Sequence, residues 1–299
     1  MSRLVEILQV DAFTAQPFGG NPAGVVLNAE GLSDEQMRGI VGEMNVAETA
    51  FLTPTRQPGA DFRLRWLTPL GKEVTFCGHA TLAAAHALTE SGRLSGDRMV
   101  FDTLGGLLAV VVGTAPEGIV IWLEPRLPAC APYNEALEST LEAVGITPEG
   151  VASWAAPALT PERDLLLPVS GFAVLKSLSP DLHRLGRLGS EGKIRGFCLT
   201  ARETFDDNSL IASRFFAPRY GIPEDTVTGS VHASLAVFLW KAGLLLPEGN
   251  VTAFVGEQGD FLGRPGRLRV ELHLVNGQPA RVRAGGQAVT VLSGTIRVE

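Results

Sequence analysis

Short apolar runs, most of four to ten residues, dominate the pattern of the chain. Leu4–Phe13, Gly24–Leu27, Thr49–Leu52 and Phe62–Leu67 are β-like and are separated by Gly, Pro and Asn. Leu107–Val112 and Ile119–Leu123 predict a hairpin whose turn includes Pro116-Glu117-Gly118. The second half repeats the style with Gly196–Ala201, Leu210–Phe216, Val251–Val255, Leu268–Leu272 and Ala280–Ala284. Two segments depart from it. Ala80–Glu90 and Val231–Ala242 favour helix and are apolar around most of their circumference. A surface helix would show a polar face, so these two are expected to be buried. Their many small residues keep them thin enough for a sheet to wrap closely.

The two helical segments also align. Gly78-His79-Ala80-Thr81-Leu82-Ala83-Ala84 can be set against Gly229-Ser230-Val231-His232-Ala233-Ser234-Leu235. Each follows a short extended run, and each helix ends near a glycine, Gly92 or Gly243. Each is followed by strands that contain a glycine turn. The expected fold class is α+β, with two pseudo-symmetric halves, each a curved, mostly antiparallel sheet around one central apolar helix. Pro125, Pro128 and Pro132 punctuate a linker-like stretch, which sets the boundary: 1–125 for the first half and 126–286 for the second. Asn134–Val144 has the spacing of an outer amphipathic helix.

Composition narrows the class. The 299 residues are 45% hydrophobic and 19% charged, a globular balance. The formal net charge is −7 with no basic stripe, which argues against nucleic acid as a partner. Cys77, Cys130 and Cys198 lie far apart and form neither a disulfide framework nor a zinc pattern. Met1 to Val10 lacks a signal-peptide pattern, and the most apolar long stretch, Val231–Leu246, holds His232 and Lys241. The expectation is a cytoplasmic protein that does not enter a membrane.

The chemistry concentrates at the helix entrances. The first N–H groups of a helix lack internal partners and lie at its positive end. Gly78 and Gly229 carry no Cβ to block a ligand, so facing entrances would cradle an anion, most simply a carboxylate. Alone, each glycine reads more simply as a tight turn, and the matched pair favours the ligand cradle. Glu48 borders an apolar strand. Burial would raise its pKa and suit it to taking and returning a proton, while a solvated residue at a strand's start is the plainer account. His79 follows Gly78 and either places an imidazole at the entrance or is a structural hydrogen-bonder. Asp225 either faces a ligand or caps the second helix, and Ser230 caps or binds anions. Cys77 is a thiol activated by the helix dipole or, more commonly, a small buried residue. His86 and His232 read as core or rim residues. Cys77 and His79 supply two metal donors with no third at a recognisable spacing, and neither a GxGxxG nor a Walker loop occurs, so no metal and no cofactor are expected.

Taken together the motifs resemble a known family. Asp11-Ala12-Phe13 leads into Phe18-Gly19-Gly20-Asn21-Pro22-Ala23-Gly24-Val25; then come Ala47-Glu48-Thr49-Ala50-Phe51 and Phe76-Cys77-Gly78-His79-Ala80-Thr81; the last is Glu224-Asp225-Thr226-Val227-Thr228-Gly229-Ser230-Val231-His232. In that order, across most of the chain, they are similar to the PhzF phenazine-biosynthesis family. The resemblance implies a diaminopimelate epimerase-like fold with a cleft between two halves and a last strand, about 287–299, crossing back to the first half. It implies a cofactor-independent isomerase and a homodimer. By motif, Glu48 matches the general acid/base, His79 and Asp225 the assisting residues, and Gly78, Gly229 and Ser230 the substrate-binding positions. Thr226 stands where the family often has Pro, which leaves the loop less constrained. Two alternatives stay open: a thiol-dependent amino-acid epimerase or racemase using Cys77, and a non-catalytic small-molecule-binding protein. The position matching Cys77 is Thr228, so the racemase reading lacks its second thiol.

Overall fold

A computed structural model describes residues 2–94, 96–116 and 118–299; Met1, Ser95 and Glu117, and with Glu117 the middle of the expected hairpin turn, lie outside the described residues. The chain divides into two compact units. One runs to Glu124 and takes in Gly285–Glu299, and the other is Pro125–Ala284.

In the first unit the strands are β1 (Arg3–Ala12), β2 (Asn21–Val26), β3 (Glu48–Thr53), β4 (Phe62–Leu67), β5 (Arg98–Thr103), β6 (Gly106–Ala115) and β7 (Gly118–Leu123). The helices are α1 (Asp34–Met44) and α2 (Gly78–Glu90). β1 pairs antiparallel with β2, β2 parallel with β3, β3 antiparallel with β4, and β4 parallel with β5. β5, β6 and β7 continue as an antiparallel meander. α2 is buried from His79 to Leu88, apart from half-buried His86, and packs on β1, β2, β3 and β7. Its five alanines keep the helix thin enough for that wrap. α1 lies on the other face, its Met37, Ile40 and Val41 seated against Val26, Phe51 and Leu67. A strand from beyond the second unit, Ala288–Val298, pairs antiparallel with β1 over the length of both.

The second unit repeats this order. Its strands are β8 (Ala131–Pro132), β9 (Ala158–Leu159), β10 (Asp164–Pro168), β11 (Gly196–Ala201), β12 (Ile211–Ala217), β13 (Ile222–Asp225), β14 (Val251–Gln258), β15 (Gly266–Val275) and β16 (Gln278–Gly286), which makes Ala288–Val298 β17. The helices are α3 (Glu138–Val144), α4 (Phe172–Ser177), α5 (Leu182–Glu191) and α6 (Gly229–Lys241). β9 pairs antiparallel with β10, β10 parallel with β11, β11 antiparallel with β12, β12 parallel with β14, and β14 antiparallel with β15. That is the pairing sequence of β1 through β6, with α6 in the place of α2. The class is α+β, in two units of like pairing order, each with one apolar helix, as the sequence pattern predicts.

Three helices escape a reading built on short apolar runs. α1 carries a full capping box, with Ser33 and Gln36 each bonding the other's backbone, but only three buried residues. α4 and α5 bury little more than Leu175, Leu185 and Gly189. The helix expected over Asn134–Val144 begins only at Glu138. Up to Tyr133 the chain is held extended, since Ala131 and Pro132 pair with β9 and the Tyr133 N–H donates to the Pro157 carbonyl at 2.9 Å. The proline-rich stretch before it is anchored too: Lys241 Nζ donates to the Cys130 carbonyl at 2.8 Å.

Candidate active site

Glu48 opens β3, and its side chain is 14% exposed. His79 is the second residue of α2 and is buried. Their side chains meet, with Glu48 Oε2 3.2 Å from His79 Nε2. Cys77, the residue before α2, places Sγ 3.6 Å from His79 Nδ1. The backbone at Cys77 is extended, which turns the chain sharply into the helix and sets the three side chains on one spot. Thr81 fastens that turn by donating from Oγ1 to the Cys77 carbonyl at 2.5 Å.

The electrostatics of this trio correct one expectation. Burial does press the Glu48 carboxyl upward, as anticipated, but the hydrogen bond and positive charge of His79 outweigh it and hold the pKa below the ordinary 4.5. Burial likewise presses His79 down, and Cys77 and Glu48 together carry it well above 6.5. Burial is the largest influence on the Cys77 thiol and pushes its pKa up, against the opposing pull of His79. Glu48 and His79 thus each favour the charged form of the other, with the Cys77 sulfur beside them. A solvated strand-start carboxylate, the plainer account, does not describe Glu48.

Glu48 is also the third donor that spacing could not reveal. Its carboxylate oxygen, Cys77 Sγ and a His79 ring nitrogen lie within 4.8 Å of one another, close enough to share a metal ion. The carboxylate and imidazole already satisfy each other, an arrangement suited equally to passing a proton.

The second helix entrance, in the other unit, is built differently. Thr228 precedes α6 in extended backbone. Asp225 is not a helix cap: its Oδ2 accepts from Thr228 Oγ1 at 2.6 Å. Gln258, from the end of β14, completes the turn. Its Oε1 accepts from the Thr228 N–H at 3.1 Å, and its Nε2 donates to the Asp225 carbonyl at 2.9 Å and to Thr228 Oγ1 at 3.0 Å. Nothing in the spacing marks Gln258, which lies 30 residues beyond Thr228. His232 is a core residue: Nδ1 lies 3.0 Å from the Thr228 carbonyl, and burial lowers its pKa to about 4, so the ring is neutral and Nδ1 carries the proton. Ser230, the second residue of α6, receives Arg195 Nη2 at 3.4 Å. His86, on α2, is 3.9 Å from Glu90 and takes no part in either cluster.

With the geometry in hand, the comparisons decide the family. The family model for phenazine biosynthesis-like proteins, PhzC-PhzF, matches residues 10–294. The chain belongs to the PhzF family. A curated relative, an uncharacterised isomerase of Clostridium acetobutylicum, is 31% identical over 300 residues, covering 99% of both chains. The crystal structure of a PhzF-family phenazine biosynthesis protein from Bacillus anthracis superposes with a TM-score of 0.88 at 26% identity, covering 98% of this chain and 99% of that one. A probable proline racemase of Agrobacterium radiobacter shares the fold, with a TM-score of 0.64 at 17% identity over 98% of this chain and 92% of its own. This PhzF chain is an isomerase of the class that acts on small molecules. No helix among the described residues is long and apolar enough to cross a membrane.

Proposed function

We propose that this PhzF-family isomerase moves a proton between atoms of a small carboxylate substrate, with Glu48 as the single acid/base and no cofactor. The observation that carries the reading is the 3.2 Å contact between Glu48 and His79 at the start of α2. The imidazolium keeps Glu48 ionised and fixed, ready to take a proton from a substrate carbon. Once protonated, Glu48 is a stronger acid than a free carboxyl group, because its pKa is held low, and it returns the proton readily. The cost is weaker basicity, so the substrate carbon must be acidified in turn. The amides that open α2, at Gly78, would do that by holding the substrate carboxylate as charge builds on it. The roles that the motif gives Asp225, as an assisting residue, and Gly229 and Ser230, as binding positions, belong to the same reading, and the enzyme works as a cytoplasmic homodimer.

The thiol-based racemase is the weaker account. The position matching Cys77 is Thr228, whose hydroxyl is already engaged with Asp225 and Gln258. A hydroxyl is far too weak an acid to replace a thiol of ordinary pKa about 8.5. The deciding experiment is turnover of a panel of cyclic and amino-acid carboxylates in deuterated water. Deuterium in a recovered substrate or product identifies the activity and the carbon. Exchange that survives in Glu48→Gln would sink the assignment, and a panel with no exchange at all would favour the non-catalytic binding protein.

A further inference from the structure

Arg195 is not among the residues that the family motifs supply, yet it stands beside two that are. It immediately precedes β11. Its Nε donates to Asp164 Oδ1 at 2.8 Å, and its Nη2 donates to Asp164 Oδ2 and reaches Ser230 Oγ at 3.4 Å. Asp164 is 1% exposed, so the carboxylate is a fixed anchor. The guanidinium carbon lies 6.0 Å from the centre of the Phe215 ring, and the charge of Asp225 is near enough to act on it. The side chain as a whole is still 34% exposed.

A guanidinium has five N–H donors. Asp164 and Ser230 take up Nε and Nη2, and among the described residues Nη1 donates to nothing. A cation whose only task was to neutralise Asp164 would have no reason to reach Ser230. The contact has a further effect on that serine. A hydroxyl oxygen that accepts from a guanidinium keeps its own O–H free to donate elsewhere. One edge of the fork, the Ser230 hydroxyl and the first amides of α6 are therefore three donor sets at one place, two of them already held rigid. Rigid planar donors of this kind suit a carboxylate, and little ordering remains to be done on binding.

We infer that Arg195 is a specificity-determining residue: it takes a carboxylate of the substrate, sharing it with the Ser230 hydroxyl. The inference rests on the proposed function only in placing Ser230 in the pocket, and it holds whichever group carries the proton.

The test is calorimetric binding of matched acid and amide pairs: benzoate with benzamide, cyclohexanecarboxylate with its carboxamide, and proline with prolinamide. Wild type should prefer at least one acid to its amide. Arg195→Met should weaken that acid about ten- to hundred-fold, the range for a charge-assisted hydrogen bond, and leave the amide unchanged. Arg195→Lys should fall between. Because Arg195→Met strands a buried carboxylate, the double variant Asp164→Asn/Arg195→Met is measured alongside it and should show the same selective loss. Acid binding that is undiminished in both Arg195 variants, or a loss that falls equally on acid and amide, overturns the inference. So does a wild-type protein that does not distinguish the pairs. Separately, exchange retained in Glu48→Gln together with a selective loss in Arg195→Met would remove Glu48 from its proposed role and leave Arg195 in place.

Discussion

The two helix entrances share a backbone and differ in chemistry. α2 and α6 each have 13 residues, each is preceded by a residue in extended backbone with no side-chain cap, and in each a side chain four residues on reaches that residue's carbonyl. Thr81 does so in one, His232 in the other. On this common frame the first entrance gathers groups that can change protonation state: Glu48, His79 and Cys77. The second gathers groups that mostly hold: Thr228, Gln258, Ser230 and a permanently charged Arg195, with Asp225 as its one carboxylate. On the proposed reading, a repeated fold has kept the helix-entrance backbone in both copies and placed the proton-carrying set in one. Duplicated architecture therefore does not imply duplicated chemistry, and the two-thiol racemase scheme, which needs a thiol from each copy, finds one only in the first, since Thr228 stands at the matching place.

That contrast can be broken most forcefully at Glu48. Glu48→Gln keeps the size and hydrogen bonding of the side chain and should cut turnover about a hundred- to ten-thousand-fold, measured as solvent-deuterium exchange. The change at the second entrance of comparable chemistry, Asp225→Asn, should cost less, about ten- to hundred-fold in kcat/KM, because it weakens hydrogen bonds without removing the carrier. A larger loss at Asp225 than at Glu48 would invert the comparison.

His79 sharpens it through pH. His79 is raised, so its contribution to stability is whole below 6.5 and is lost as pH rises through the folded-state value. Glu48 is lowered, so its contribution is whole above 4.5 and is lost as pH falls through the folded-state value. The ion pair is thus fully present between 4.5 and 6.5. The Tm difference between wild type and His79→Gln should be at its most favourable to wild type in that window and shrink on either side. A difference that stays flat with pH would mean that the pair is not ionised.

Gln258→Ala tests the holding side. It leaves the Thr228 N–H and hydroxyl short of a partner and should lower stability by about 1–3 kcal/mol by denaturant unfolding. Cys77→Ala is the smallest change expected. It should fold with a modest loss of stability, keep most of its activity, and confirm by that the thiol's bystander part. Destroyed activity there, with Glu48→Gln untouched, would hand the chemistry to sulfur.

Much of this contrast was legible in the sequence, for local reasons. α2 and α6 announce themselves because a helix apolar all round is rare, and the glycine at each start is adjacent to the residues it serves. Glu48 and His79 were nameable, but their contact was not: it depends on β3 lying beside α2, a tertiary fact. For the same reason the direction of the Glu48 shift was misjudged, since burial could be anticipated and its imidazolium partner could not. Gln258 and Arg195 were invisible because each reaches α6 from a distant strand or loop. α1 offered a readable capping box at Ser33 and Gln36, whereas α4 bury too few residues to leave a period.

β17 bears on how the molecule is made. β1 pairs with β17, which follows the entire second unit and is made long after β1. Until β17 is made, the N-terminal sheet has an unpaired edge, the kind of surface on which nascent chains join one another. The half that carries Glu48 and His79 begins first and is completed last, so the wait between the two strands is a window for misassembly.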